Sequence, residues 1–212
     1  MKIEKNITSA IPKRTRRTQK ERRMETRSRL LNATIEALIE LGYSKLTTSD
    51  ICRRAGISQG ALFKHFSTKA DLIAAAAEDL YQQILETSRR RIAELPDKDD
   101  KISGGLQALW QAYQDPKLIA SLDLHTAART DPQLHSVMQP LVAQHWKNII
   151  NIAGELYPQF SSQNGFVFLV DMVMMAMMGF LTENLISDRS SIHEERLAFL
   201  ETTVRHYLFR GL

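Results

Sequence analysis

The most informative segment of the chain lies at residues 46–66 and reads LTTSDICRRAGISQGALFKHF. A Thr-x-x-acid pattern beginning at Thr47 predicts the start of a helix, and Gly56 predicts its end. Ser58 can cap a second short helix that begins at the next residue. The segment therefore predicts two short helices that are joined by a tight turn.

Two such helices, set at a steep angle, form a helix-turn-helix whose second helix enters the major groove of DNA. Gln59 and Lys64 are free to point outward from that second helix. A glutamine can bond an adenine edge, and a lysine can reach the acceptors of guanine. Gly60 has two interpretations that stay open here: close approach to DNA, or close packing between helices.

The charge of the chain is unevenly distributed. Residues 1–72 carry 16 Lys and Arg against 7 Asp and Glu, whereas residues 73–212 carry 12 against 17. A basic N-terminal third on a mildly acidic body indicates that the N-terminal part binds a polyanion. Residues 1–17 are predicted to be a flexible basic arm, which either enters an adjacent minor groove or forms a solvated tail.

Apolar residues recur with a period of 3.6 almost from end to end, and no sustained alternation of period two occurs. We therefore expect an all-α fold of about nine helices. A helix-turn-helix domain is predicted over residues 18–85, with its motif at about 47–66, and a second helical domain over residues 86–212. The single cysteine, Cys52, is expected to be a small buried hydrophobe and fits a reducing, cytoplasmic location.

Capping patterns mark the predicted helix ends. The expected N-terminal caps of their helices are Thr18, Thr68, Asp115, Asp131 and Ser191. Pro140 is expected to kink or break the helix that contains it. Residues 164–186 form a strongly apolar helix, which should be buried on all sides. Its continuous apolar run is too short to span a bilayer, so we expect no membrane association.

The segment from Thr47 to Leu72 closely resembles the DNA-binding domain of the TetR (tetracycline-repressor-like) family of bacterial regulators. The matching positions are Thr47, Thr48, Ile51, Ala55, Gly56, Ile57, Ser58, Gly60, Leu62, His65, Phe66, Lys69 and Leu72. The resemblance implies a homodimeric transcriptional regulator that binds a near-palindromic site on double-stranded DNA and responds to a small effector of unknown identity. Phe63 departs from the family, which commonly has a tyrosine there whose hydroxyl often reaches a phosphate.

Phosphate contacts should position the N-terminal domain, and base contacts should specify the site. Lys69 lies in the first turn of its helix, where a cation is unfavourable unless a phosphate binds there; an ordinary solvated lysine is the alternative. The residues that we expect to contact DNA are Arg14, Arg16, Arg17, Thr48, Ser58, Gln59, Gly60, Phe63, Lys64, His65 and Lys69.

Residues 86–212 resemble the ligand-binding domain of the family only in outline, and the resemblance implies that they form an effector-binding and dimerisation domain. Candidate walls of an effector pocket are Trp110, Tyr113, Trp146, Met172 and Met175, and candidate residues of the dimer seam are Met174, Met178, Gly179, Leu197 and Val204. The methionines suit either plain core or an adaptable apolar pocket. Asp171 is expected to meet a cation across the seam or a cationic effector group.

Other classes of function find less support in the sequence. The histidines match no zinc spacing, and no nucleophile motif such as Gly-x-Ser-x-Gly occurs, so we expect no metal, no cofactor and no enzymatic activity. The leading interpretation is a repressor released by a largely apolar effector, although activation stays open. The alternatives are a regulator without an effector, whose body serves dimerisation or a protein partner, and an enzyme or carrier with a vestigial DNA-binding domain.

Overall fold

A computed structural model describes residues 18–95, 101–187 and 190–210 of the chain. These residues form nine α-helices and no strand, which confirms the predicted all-α class. The helices are α1 (Gln19–Leu41), α2 (Thr48–Ala55), α3 (Gln59–Phe63), α4 (Lys69–Ala93), α5 (Lys101–Tyr113), α6 (Pro116–Ala128), α7 (Pro132–Leu156), α8 (Phe166–Asn184) and α9 (His193–Arg210).

Helices α1 to α3 form the N-terminal unit, which we call the head. The hydroxyls of Thr18, Thr47 and Ser58 each accept a hydrogen bond from the backbone N–H three residues on, at 3.2, 3.2 and 3.3 Å. Gly56 ends α2 in the left-handed conformation with φ of 61°, which costs a glycine little. These caps were predicted correctly because local chemistry sets them.

Helix α4 is shared between the head and the rest of the molecule, which we call the body. The predicted capping box is present, since Thr68 and Asp71 exchange two hydrogen bonds of 3.0 Å. The 25 residues of α4 extend about 37 Å. The helix packs against α1 in the head and against α5, α6 and α7 in the body. A shift of α4 within the body therefore also acts on the head.

Helices α6 and α7 begin as predicted, with Asp115 and Asp131 as caps and a proline in the first helical position. Pro140 lies inside α7, but the helix continues from Pro132 to Leu156. Of the two predicted outcomes, the break is therefore wrong, and the kink stays a prediction. Because Pro140 is exposed, water can satisfy the backbone carbonyl of Ser136, which loses its helical partner.

Helix α8 is less buried than its sequence predicts. Phe166, Met177 and Leu181 are its buried residues, whereas Phe168 and Met172 are exposed. One chain alone therefore does not bury the helix on all sides, and its cover by a second copy stays a prediction. Within the described ranges, α8 is the one helix that is long and apolar enough to cross a membrane, a test that core helices of soluble proteins also pass.

The last helix begins slightly later than its cap pattern predicts. A 3₁₀ turn over Ser190–Ile192 precedes it, and α9 starts at His193 instead of directly after Ser191. Helix α9 packs against α5, and α5 in turn contacts α8. Helix α5 thus connects α4 to the two C-terminal helices.

Candidate functional site

The recognition helix α3 presents its outer face to solvent. Gln59, Phe63 and Lys64 are exposed, and Phe63 retains 49% of its accessible surface. Leu62 is fully buried beneath them and fixes the helix to the head. The arrangement leaves one face of α3 free for a partner, with a cation and a carboxamide on it.

Gly60 lies in the middle of this face. A Cβ atom built on Gly60 meets nothing within 4 Å, and the residue is exposed. The fold of the chain therefore does not require a glycine here for close packing between helices, which was one of the two interpretations. The remaining interpretation is approach of an external surface to the α3 backbone.

Neighbouring polar groups order the rim of this face. The side-chain amide of Gln59 donates to the hydroxyl of Ser49 at 2.8 Å, which leaves the amide oxygen of Gln59 free as an acceptor. Ser58 caps α3, and Thr48 is the first residue of α2. Its position there places a hydroxyl beside the backbone N–H groups of a helix start, which favour anions.

His65 lies beside two arginines of α1. Burial and the charges of Arg23 and Arg27 lower the pKa of His65, so at neutral pH it is an uncharged ring that can still donate one hydrogen bond. Arg27 also lies over the ring of Phe66, with 5.4 Å between the guanidinium carbon and the ring centroid. Sequence reasoning did not single out Arg23 and Arg27, although the cluster of basic residues in α1 was a visible signal. The predicted contacts Arg14, Arg16 and Arg17 lie outside the described residues.

The body contains a cavity of about 480 Å³ between α4, α5, α6, α7, α8 and α9. Of the candidate pocket residues, Tyr113, Trp146 and Met175 line this cavity. Trp110 and Met172 were also predicted to line it, and the structure corrects both. Trp110 is buried against His193 with ring centroids 3.9 Å apart, and Met172 is 66% exposed on the outside of the body.

Polar groups from three helices meet at the cavity wall. Ser121 donates to the Tyr81 hydroxyl at 3.3 Å, and that hydroxyl lies 2.8 Å from Nε2 of His125. The His145 ring stacks on Tyr81 with centroids 4.4 Å apart. Sequence reasoning missed this cluster because its members lie far apart in the chain, on α4, α6 and α7.

The outer side of α8 and α9 carries unburied apolar side chains. The large exposed ones are Val167, Phe168, Met172, Phe199 and Phe209. Met175, which also lines the cavity, is exposed as well. Of the predicted seam residues, Gly179 is exposed, and a Cβ atom there meets nothing within 4 Å. The other four are placed differently. Met174, Met178 and Val204 line the cavity, and Leu197 is buried in the core of the single chain.

Comparison with known proteins agrees with this architecture. Residues 30–76 match the family model described as "Bacterial regulatory proteins, tetR family". An uncharacterised helix-turn-helix-type transcriptional regulator of Mycobacterium bovis is 37% identical over 140 residues, which cover 66% of this chain and 72% of that protein. The chain belongs to the TetR family of bacterial transcriptional regulators.

Two further relatives extend the comparison of this TetR-family regulator. The transcriptional regulator CymR of Pseudomonas putida is 42% identical over 130 residues, or 61% of this chain and 64% of that protein. The crystal structure of a TetR-family regulator from Streptomyces coelicolor superposes with a TM-score of 0.63 at 20% identity. It covers 86% of this chain and 95% of that one, and so shares its fold.

In this TetR-family regulator the head and body meet through a polar junction. The Tyr43 hydroxyl donates to Oδ2 of Asp131 at 2.6 Å, and the Tyr43 backbone N–H donates to Asp123. Burial and the hydrogen bond to Asp131 raise the pKa of Tyr43 to about 12. One residue of the α1–α2 connection thus contacts both α6 and the start of α7.

Lys69 belongs to the same junction. Its ammonium donates to the Leu46 carbonyl at 2.7 Å and lies 4.7 Å from the centroid of the Tyr43 ring. Burial lowers the pKa of Lys69, while the nearby Asp131 opposes that shift. The amine is therefore directed at groups of the head and junction, and a phosphate contact requires it to reorient.

Proposed function

We propose that this regulator is a cytoplasmic, homodimeric repressor that leaves its operator when a small, mostly apolar effector enters the body. The observation that carries the proposal is the cavity of about 480 Å³, whose wall includes α4. Pockets of this size and apolar character are typical of small-molecule sites. Because α4 also begins in the head, a molecule in the cavity acts on the helix that holds the head in place.

The homodimer is supported by the exposed apolar surface of α8 and α9. Phe168 is 76% exposed and Phe199 is 76% exposed in the single chain. Soluble proteins rarely leave a large contiguous apolar surface in water, and such surfaces mark interfaces. In the proposed dimer, α8 and α9 of one copy pack against α8 and α9 of the other and cover these side chains. This packing explains why one chain leaves α8 partly uncovered.

DNA recognition is assigned to the exposed face of α3. We assign Gln59 and Lys64 to base edges and the Gly60 backbone to close approach. Thr48, Ser58 and His65 are assigned to phosphates. Phe63 is assigned to contact with the sugar-phosphate backbone without a hydrogen bond, because it lacks the hydroxyl. Lys69 is assigned to a phosphate that draws its amine away from Leu46.

The two functions are coupled through α4 and the polar junction. A coupling free energy of about 1–3 kcal/mol is enough to weaken operator binding about 5- to 150-fold. The effector needs only to displace α4 relative to α6 and α7. Tyr43, which contacts both α6 and α7, then moves with the body and changes the orientation of the head.

The proposal is tested by selecting genome fragments that bind the purified protein and measuring their affinity with and without apolar compounds. We expect a near-palindromic site and a log–log salt dependence with a steep negative slope. We also expect compounds that raise the melting temperature to weaken DNA binding. Stabilisation by no compound, with intact operator binding, would favour a regulator that needs no effector. Absence of salt-dependent duplex binding would overturn the assignment of DNA recognition.

A further inference from the structure

The cavity holds a cluster of uncharged hydrogen-bonding groups at one place in an otherwise apolar wall. The Ser121 hydroxyl donates to Tyr81 at 3.3 Å, so the single Tyr81 proton is free to point at Nε2 of His125, 2.8 Å away. His145 stacks on the same tyrosine ring at 4.4 Å. Three helices therefore bring two imidazoles and two hydroxyls together.

One atom of this cluster lacks a partner. Nδ1 of His145 is buried and finds no hydrogen-bond partner among the described residues. Buried polar atoms in native proteins are nearly always bonded to protein, water or ligand. The His145 ring lines the cavity, and a half-turn about its Cβ–Cγ bond moves Nδ1 to the opposite edge of the ring. A molecule inside the cavity can then supply the missing bond.

The charges around the cavity select against ionised ligands at this cluster. No lysine or arginine lies among the described residues of the cavity wall, and Asp171 on α8 is its one carboxylate. An anion at the cluster would be desolvated without a fixed counter-charge, which is costly. Burial lowers the pKa of both histidines, to about 4 for His145, so neither ring supplies that counter-charge near neutral pH.

A hydroxyl suits the cluster better than a ketone, an ether or an apolar group. A neutral imidazole has one N–H donor and one acceptor nitrogen, and which nitrogen is which depends on its tautomer. A hydroxyl donates and accepts, so it can pair with His145 in either tautomer. A ketone or an ether only accepts, and an apolar molecule does neither.

Resting on the proposed function, we infer that the effector is an uncharged, mostly apolar molecule with one phenol- or alcohol-type hydroxyl, held by Tyr81, His125 and His145. The hydroxyl bonds the histidine cluster, and the apolar remainder fills the cavity between α5 and α8. Tyr81 lies twelve residues, or about 18 Å, along α4 from the first residue of that helix. The polar end of the effector therefore acts directly on the helix that enters the head.

A matched probe series tests this inference. Para-butylphenol, para-butyltoluene, para-butylbenzoate and para-butylbenzylamine share one apolar skeleton and differ in the polar group. We expect the phenol to bind wild-type protein at least about tenfold more tightly than each of the other three. Calorimetry or a fluorescence titration gives the four affinities.

Variants locate the preference. We expect His145→Phe, which keeps an aromatic ring against Tyr81, to reduce the preference for the phenol over the toluene to less than about threefold. Binding of the toluene should stay within about threefold of wild type. Tyr81→Phe should reduce the preference in the same direction. His135→Gln is the matched control on α7, because His135 is exposed and lies outside the cavity wall; it should leave all four affinities unchanged.

The pH dependence supplies a second readout. The titratable groups that face the cluster or line the cavity are Tyr81, Tyr113, His125, His145, Tyr157 and Asp171. Burial raises the pKa of each of the three tyrosines and lowers that of each of the two histidines, so these five groups stay uncharged. The affinity for the phenol should therefore be flat between about pH 6 and pH 8.

Several results would overturn the inference. A benzoate that binds most tightly, with affinity falling as the pH rises, would show that a protonated histidine binds an anion. Preference for the benzylamine would place the polar end of the effector at Asp171 instead. If both His145→Phe and Tyr81→Phe keep the preference for the phenol, the cluster does not recognise the hydroxyl. In each case the proposed function stands if the preferred probe releases operator DNA, and it fails separately if no probe binds.

Discussion

Replacing Tyr43 with phenylalanine removes one hydroxyl from the junction between head and body. That hydroxyl donates to Asp131 at 2.6 Å. A hydrogen bond to a charged group contributes about 1.5–3 kcal/mol, but Tyr43 and Asp131 are only partly buried, so water weakens their bond. We therefore expect Tyr43→Phe to lower the free energy of unfolding by no more than about 1.5 kcal/mol. Asp131 keeps its bond from the Leu134 N–H at 2.9 Å, so α7 should stay capped.

Tyr43→Phe should also weaken the response of operator binding to the effector. Tyr43 is not on the exposed face of α3, so operator affinity without effector should stay within about threefold of wild type. The ratio of operator affinities without and with a stabilising compound should fall about fivefold or more, because the junction transmits part of the coupling free energy. Urea denaturation and fluorescence anisotropy with labelled operator measure the two effects.

Tyr207→Phe is the matched control for this experiment. Its hydroxyl donates to the Asn164 carbonyl at 2.9 Å, within the C-terminal part of the body. The control should lose stability and keep the full affinity ratio. A Tyr43→Phe variant that is destabilised but keeps the full ratio would refute the role of the junction in coupling.

Three further predictions concern the DNA face and the dimer. Gln59→Ala and Lys64→Ala should each weaken the free energy of binding to the cognate operator by about 1–3 kcal/mol and relax the sequence preference of the protein. Competition against a randomised duplex measures that preference, and an unchanged preference in both variants would count against base contacts by these residues. Gly60→Ala should keep or raise the melting temperature, because the new methyl meets nothing within 4 Å, yet weaken operator binding; equal binding would mean that DNA does not approach this backbone. Phe168→Asp should shift the protein from dimer to monomer in sedimentation velocity, and a persistent dimer would place the interface elsewhere.

The head could be predicted almost entirely from the sequence. Its helix starts depend on hydroxyls that bond backbone three residues away, as at Thr18 and Ser58, and the left-handed turn that ends α2 depends on Gly56. Such interactions are local, so a linear pattern contains them. The exposed positions of Gln59 and Lys64 followed from the same spacing.

The body could be predicted less well, because its site depends on which helices meet. Tyr81, His125 and His145 are far apart in the sequence, and nothing local marks them as neighbours. For Trp110 and Val204, an apolar pattern predicts burial but does not say whether the residue faces a cavity, a neighbouring helix or a second copy. The exposed side of α8 could not be predicted for the same reason, because a helix that is apolar all round gives no sign of what covers each side.

Methylation interference at guanine N7 on the selected operator shows whether α3 enters the major groove, because N7 lies in that groove. We expect two clusters of interfering guanines about ten base pairs apart, one for each copy of α3. The pattern should weaken selectively when Lys64→Ala protein is used. A single cluster, or strong binding that no major-groove methyl group disturbs, would contradict the account.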